Sequence, residues 1–182
     1  MGVRNYLIEG GSGTGKTTVA EELERRGYHV VHGDRKLAYY GNPDTGEPMQ
    51  MPQSDNEEET VIWGYEHWIW PVATVEALVT DEGNALSFFC GHSANFRHFI
   101  GLFDGVFILD VDLETLDRRL AGRPEDEFGG RPVERDLVMR LHKTKEYVPT
   151  NAVSINANAP VAHVVDEILE KCGDTRKDRK PA

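Results

Sequence analysis

The segment Glu9-Gly10-Gly11-Ser12-Gly13-Thr14-Gly15-Lys16-Thr17-Thr18 constrains this chain of 182 residues more than any other. It matches G-x-x-x-x-G-K-[ST] in full. It follows the apolar run Tyr6-Leu7-Ile8 and precedes a stretch, Thr17 to Arg26, with Val19, Ala20 and Leu23 at helical spacing, closed by Gly27. A strand, a glycine loop and a helix in that order make a grip for phosphates. The glycines let backbone N–H groups turn inward, and the helix N-terminus adds partial positive charge. Lys16 reaches the outer phosphates, and the Thr17 hydroxyl is a magnesium ligand. The expected nucleotide-binding set is therefore Gly11, Ser12, Gly13, Thr14, Gly15, Lys16, Thr17 and Thr18.

Further apolar runs at 28–32, 85–90, 106–111 and 153–155 predict four more strands, each followed by something helical. Helical spacing predicts helices over 93–103, with Phe96, Phe99, Ile100 and Phe103 on one face, over 113–121, and over 160–171, opened by Pro160. Apolar strands alternating with helices give a three-layer α/β/α domain around a five-stranded parallel sheet. Two stretches interrupt the alternation. One, 35–82, contains a Pro- and Gly-rich part and then a helical segment from about Glu57, carrying Trp63, Tyr65, His67, Trp68 and Trp70 up to Pro71. The other, 123–135, is rich in glycine and charge and leads into a basic helix running to about Tyr147. Insertions at strand and helix ends commonly cover a ligand, so the first is expected to bind an acceptor and the second to act as a lid. Residues 1–172 would form this single domain and 173–182 a disordered tail.

Hydrophobic residues make up 39% of the chain and no apolar run is long enough to span a bilayer, which predicts a cytoplasmic protein without a membrane partner. The two cysteines, Cys90 and Cys172, are too few for a disulfide framework. A net charge of −11 opposes polyanion binding, so nucleic acid is not the expected partner.

The loop, the five-strand pattern and the later Arg119-Leu120-Ala121-Gly122-Arg123 ahead of a charged insertion resemble the P-loop small-molecule kinases. That group comprises the nucleoside monophosphate kinases with their shikimate, gluconate and zeta-toxin relatives. The resemblance runs from about residue 4 to 170. It implies a P-loop NTPase fold with strand order 2-3-1-4-5, ATP with Mg²⁺ as donor, and two mobile parts that close over donor and acceptor.

Asp34 follows strand two and so points to the same sheet edge as the phosphate loop. There it could take the proton of an attacking hydroxyl or hold magnesium through water, as an Asp at this place does in the similar shikimate and gluconate kinases; a turn or helix-cap role is the alternative. Strand three runs into Cys90-Gly91-His92-Ser93 and lacks the magnesium-linked Asp that many P-loop proteins carry there. Gly91 and Ser93 are left as acceptor contacts. Arg35 and Arg97, if both faced the pocket, would favour an anionic acceptor. Arg119 and Arg123 lie four apart on one helix face, with Arg131 and Arg135 beyond the glycines. By resemblance the first pair contacts ATP and a lid arginine completes the site.

These residues predict an ATP-dependent transfer to a hydroxyl of a nucleoside, sugar or antibiotic-like molecule, by a monomer or homodimer. Lys16, Asp34, Arg119 and Arg123 would be catalytic; Asp34, Arg35, Gly91, Arg97 and Arg131 would bind acceptor; Thr17 and Asp34 would hold the metal. A nucleoside monophosphate kinase, and a nucleotide-binding regulator or NTPase transferring only to water, are the alternatives.

Overall fold

A computed structural model describes residues 3–173. Most of the expected tail, 174–182, lies outside the described residues. Seven strands occur in chain order: β1 (Arg4–Glu9), β2 (His29–His32), β3 (Tyr39–Tyr40), β4 (Trp68–Ile69), β5 (Leu86–Cys90), β6 (Gly105–Asp110) and β7 (Val153–Asn156). The helices are α1 (Lys16–Arg25), α2 (Gly33–Lys36), α3 (Glu57–Glu66), α4 (Val72–Val79), α5 (Leu113–Ala121), α6 (Pro132–Thr144) and α7 (Val161–Lys171). Five strands form one parallel sheet in the order β2-β5-β1-β6-β7. The expected order counted five strands, whereas β3 and β4 add two short ones in the first interruption, so numbering over all seven differs from it.

Alternation along each strand divides the core between the two faces of the sheet. Tyr6, Ile8, Phe88 and Leu109 pack with Val19, Leu23, Leu116, Leu120, Val165 and Ile168 from α1, α5 and α7. Leu7, Val31 and Phe89 face the other way, against Trp70, Val75 and Phe99. Trp70 is fully buried and stacks flat on Phe99, with ring centroids 5.7 Å apart.

The second face corrects two expectations. Instead of one helix over 93–103, the chain makes two short 3₁₀ turns, Phe96–His98 and Ile100–Leu102. The reason is the buried backbone of Trp70. Its N–H meets Ser93 Oγ at 3.2 Å and Asn95 Oδ1 at 3.0 Å, and its carbonyl accepts from Asn95 Nδ2 at 2.9 Å, which holds 93–95 out of helical geometry. Phe96, Phe99 and Phe103 still pack on this face, and α4, which starts after Pro71 and which the aromatic run before it obscures, covers it with them. The first interruption is thus not one insertion. Antiparallel pairing of β3 with β4, Tyr39 opposite Ile69, pinches off 41–67 as an excursion carrying α3, while α4 belongs to the sheet.

Candidate active site

Parallel strands present their carboxyl ends together, and β2, β5 and β1 are neighbours, so Asp34, Gly91-His92 and Glu9-Gly10 converge on one edge. Beside them the loop after β1 turns through left-handed glycines, Gly13 at φ 81° and Gly15 at φ 105°. A Cβ on Gly13 would meet Leu116 Cδ1 at 2.9 Å, so the cradle is built against α5. Helix α1 begins at Lys16 with no side-chain cap and no acidic residue in its first turn, leaving its N-terminal N–H groups for an anion. Lys16 Nζ folds over the loop onto the carbonyls of Gly10 and Gly11, at 2.5 and 3.1 Å.

One cavity of about 1270 Å³ runs past this loop. Ser12 to Thr18, Arg119, Arg123 and 157–161 line it, together with Asp34, Arg35, Tyr40, Tyr65, Trp68 and His92. A single drug-sized ligand fills roughly 300–1,000 Å³, so the volume suits two molecules side by side. Uncapped N–H groups, left-handed glycines, Lys16 and two arginines fit a nucleotide triphosphate at the loop. For magnesium the only protein oxygens needed are one or two, since the ion keeps water and phosphate ligands, and Thr17 with Asp34 meets that requirement. Among the described residues no group of three or more His, Cys, Asp or Glu could hold a metal by itself.

Asp34 stands in the short helix α2, whose start is tight: a Cβ on Gly33 would lie 1.9 Å from the Trp70 ring. Its Oδ1 accepts from the His92 N–H at 2.9 Å and from Trp68 Nε1 at 3.4 Å. Gly91 lies behind this contact and outside the cavity lining; a Cβ there would meet Trp70 at 2.7 Å and Asp34 Oδ1 at 3.0 Å. Ser93 is buried at the Trp70 backbone. Neither is placed to touch an acceptor. Arg97 is also elsewhere, more than half exposed and paired with Asp44 away from the cavity.

The remaining arginines divide. Arg119 donates to the carbonyls of Gly13, Thr14 and Ala157 at 3.0 to 3.3 Å, bracing the phosphate loop against the segment after β7. Arg123 pairs with Glu127 at 3.0 Å. Arg131 opens α6 and bonds Glu134 and Glu57, at 2.5 and 2.8 Å, joining the 123–135 segment to α3. All three line the cavity, whereas Arg135 turns to the Leu120 carbonyl instead. The 123–135 segment also touches the phosphate loop directly, Ser12 Oγ donating to the Phe128 carbonyl at 2.7 Å. Of the aromatic run, Tyr65 and Trp68 line the cavity, Trp70 is core, and Trp63 stacks on His67.

Sequence reasoning missed a buried pair. His92 Nδ1 lies 2.7 Å from Glu9 Oε1, with the Tyr65 ring stacked on the imidazole at 4.3 Å. Burial pushes the Glu9 carboxyl above its ordinary value, opposed by His92 and Lys16. The available signal was a glutamate directly after the apolar run Tyr6-Leu7-Ile8. Cys90 is fully buried at the end of β5; burial, with the Asp34 charge added, pushes its thiol well above the ordinary value. In the native protein Cys90 is therefore expected to react with iodoacetamide at least about tenfold more slowly than in denaturant. Peptide mass mapping checks this, and equal rates would contradict the packing.

Residues 7–140 match a family model described as an AAA domain. No curated protein matches the sequence. Among solved structures, a shikimate kinase from Bacteroides thetaiotaomicron superposes with a TM-score of 0.56 at 15% identity, over 93% of this chain and 98% of that one. A sugar kinase from Janibacter sp. HTCC2649 gives 0.54 at 16%, over 95% and 96%. A deoxyadenosine kinase from M. mycoides, solved with dATP bound, gives 0.52 at 16%, over 93% and 99%. At these identities the likeness is one of fold. Among the described residues no helix is long and apolar enough to cross a membrane.

Proposed function

We propose that this chain, which belongs to the AAA-domain family, is an ATP-dependent phosphotransferase that moves the γ-phosphoryl group to a hydroxyl of a small molecule. The observation that carries the reading is that one cavity is lined both by Lys16, Thr17 and Arg119 and by Asp34, Tyr40 and Trp68. Solved structures of the same fold include kinases of sugars, shikimate and deoxyadenosine, which supports a hydroxyl acceptor by analogy.

The chemistry asks little covalent work of the protein. Lys16 and the loop amides hold the triphosphate, Arg119 and Arg123 offset charge on the transferring group, and Asp34 orients the hydroxyl and takes its proton. Thr17 and Asp34 would hold magnesium, which neutralises phosphate charge when bound. A hydroxyl suits the site better than a nucleotide phosphate, because Arg97 faces away and Arg131 is already engaged by two carboxylates.

ATP consumption measured against nucleosides, nucleotides, sugars and aminoglycosides tests the reading. One class is expected to raise turnover at least about tenfold above the water background, since positioning an acceptor is what accelerates transfer. Turnover that no acceptor raises would support hydrolysis or binding alone and sink the kinase assignment.

A further inference from the structure

Three side chains run in a line across three adjacent strand ends. Asp34 stands two residues beyond β2, His92 two residues beyond β5 and Glu9 at the last position of β1. The contacts are sequential. The His92 main-chain N–H donates to Asp34 Oδ1 at 2.9 Å, and the His92 ring lies 2.7 Å from Glu9, which is peptide-bonded to the first glycine of the phosphate loop. Both members of the pair are more than nine-tenths buried.

We propose that Glu9 and His92 are positioning residues for the transfer step: the pair ties residue 92 to the phosphate loop and thereby sets the Asp34 carboxylate relative to the donor phosphates. The inference rests on the phosphotransferase reading. With Oδ1 fixed by the His92 N–H and by Trp68 Nε1, Oδ2 is the oxygen left to receive the acceptor proton. In the step itself the acceptor oxygen bonds to the γ-phosphorus and the bond to the β,γ-bridging oxygen breaks. Its electron pair stays on ADP, and the hydroxyl proton passes to Oδ2.

Packing alone does not account for the pair. Glu9 Oε2 and His92 Nε2 are both buried without a hydrogen-bond partner among the described residues. Burying such atoms unpaired is unfavourable, a burden that an apolar pair of the same shape would avoid. The titratable and charged groups around the pair are Lys16, Asp34, Tyr65 and Tyr147, from four different segments. The pair therefore sits where loop, acceptor wall and lid side meet.

The test compares Glu9→Ala, Glu9→Gln and His92→Phe in the full chain; the phenylalanine keeps a flat ring for Tyr65 but has no nitrogen to reach Glu9. Glu9→Ala and His92→Phe are expected to lower kcat about tenfold to a hundredfold, with KM for ATP changed less than about threefold, the signature of a misplaced reacting group. Glu9→Gln, which keeps an oxygen for Nδ1, is expected to restore most of that loss. Hydrogen exchange at the residue 92 amide gives a readout independent of turnover: protection should drop at least about tenfold in Glu9→Ala and His92→Phe. Unchanged protection, or a fall in kcat matched by an equal rise in KM for ATP, overturns the inference. Should Glu9→Ala fail to fold, His92→Phe decides alone. Should the wild-type protein phosphorylate nothing, the phosphotransferase reading fails while the exchange measurement still decides whether the pair holds residue 92.

Discussion

Replacing Lys16 with alanine is expected to lower phosphoryl transfer by at least about 10³-fold while leaving the fold in place. Removing a single preorganised donor to a developing oxyanion costs about 10² to 10³, and a cation that meets transferring phosphate in a water-poor site contributes up to about 10⁵. In the proposed transfer Lys16 would combine both functions, because its amine sits over the loop on the Gly10 and Gly11 carbonyls, beside the uncapped N-terminus of α1 where phosphates would be held. The fold does not depend on it. Lys16 is only partly buried and makes no ion pair among the described residues, so its loss removes two contacts to loop carbonyls and no core surface. Thermal unfolding should shift by no more than a surface substitution allows, about 0.5 kcal/mol. ADP release in a coupled assay, run with a melting curve, checks both halves. Transfer within tenfold of wild type would remove the phosphate loop from the chemistry.

The loop and its flanking elements were legible because local rules decide them. A glycine motif between an apolar strand and an amphipathic helix has one low-energy arrangement, and β1 and α1 form within two residues of their expected bounds. Helix α5 spans the expected residues, since Leu116 and Leu120 supply an apolar stripe and Asp112 caps the start by accepting from the Thr115 N–H at 2.7 Å. The segment 93–103 misled for an equally physical reason. Phe96, Phe99, Ile100 and Phe103 satisfy helical spacing, yet Ser93 and Asn95 are spent on the buried Trp70 backbone, a contact between residues more than twenty apart.

The candidate site divides along the same line. Lys16, Thr17 and Asp34 were named from motif and strand-end position, Arg119 and Arg123 from the family resemblance, and all five line the cavity. Arg97 was named from the family resemblance and Gly91 from its chain position after a strand. Asp44, on the excursion between β3 and β4, draws the first outward, and the Trp70 ring leaves the second no room for more than a hydrogen. The Glu9 to His92 contact joins residues 83 apart and has no local pattern at all. Its only trace was a charged residue directly after the apolar run of β1.

Asp34→Asn is expected to lower kcat by about 10² to 10⁴, the range for losing a general base, with KM for ATP within about threefold of wild type. The substitution is nearly isosteric, and the geometry dictates how the amide sits. Two donors, the His92 N–H and Trp68 Nε1, meet Oδ1, so an asparagine must turn its carbonyl oxygen to them and its NH₂ to the cavity. Position is kept while the one atom able to accept the acceptor proton becomes a donor. A magnesium titration of the variant separates the two roles open to the carboxylate. If Asp34 serves as the base, saturating magnesium leaves the loss in place, because no metal concentration restores a proton acceptor. If it serves the metal alone, rising magnesium recovers kcat toward wild type, and the proton must then leave by another route. Transfer within tenfold of wild type at ordinary magnesium would discard both roles, and with them the reason for Oδ1 to be held so firmly between β2 and β5.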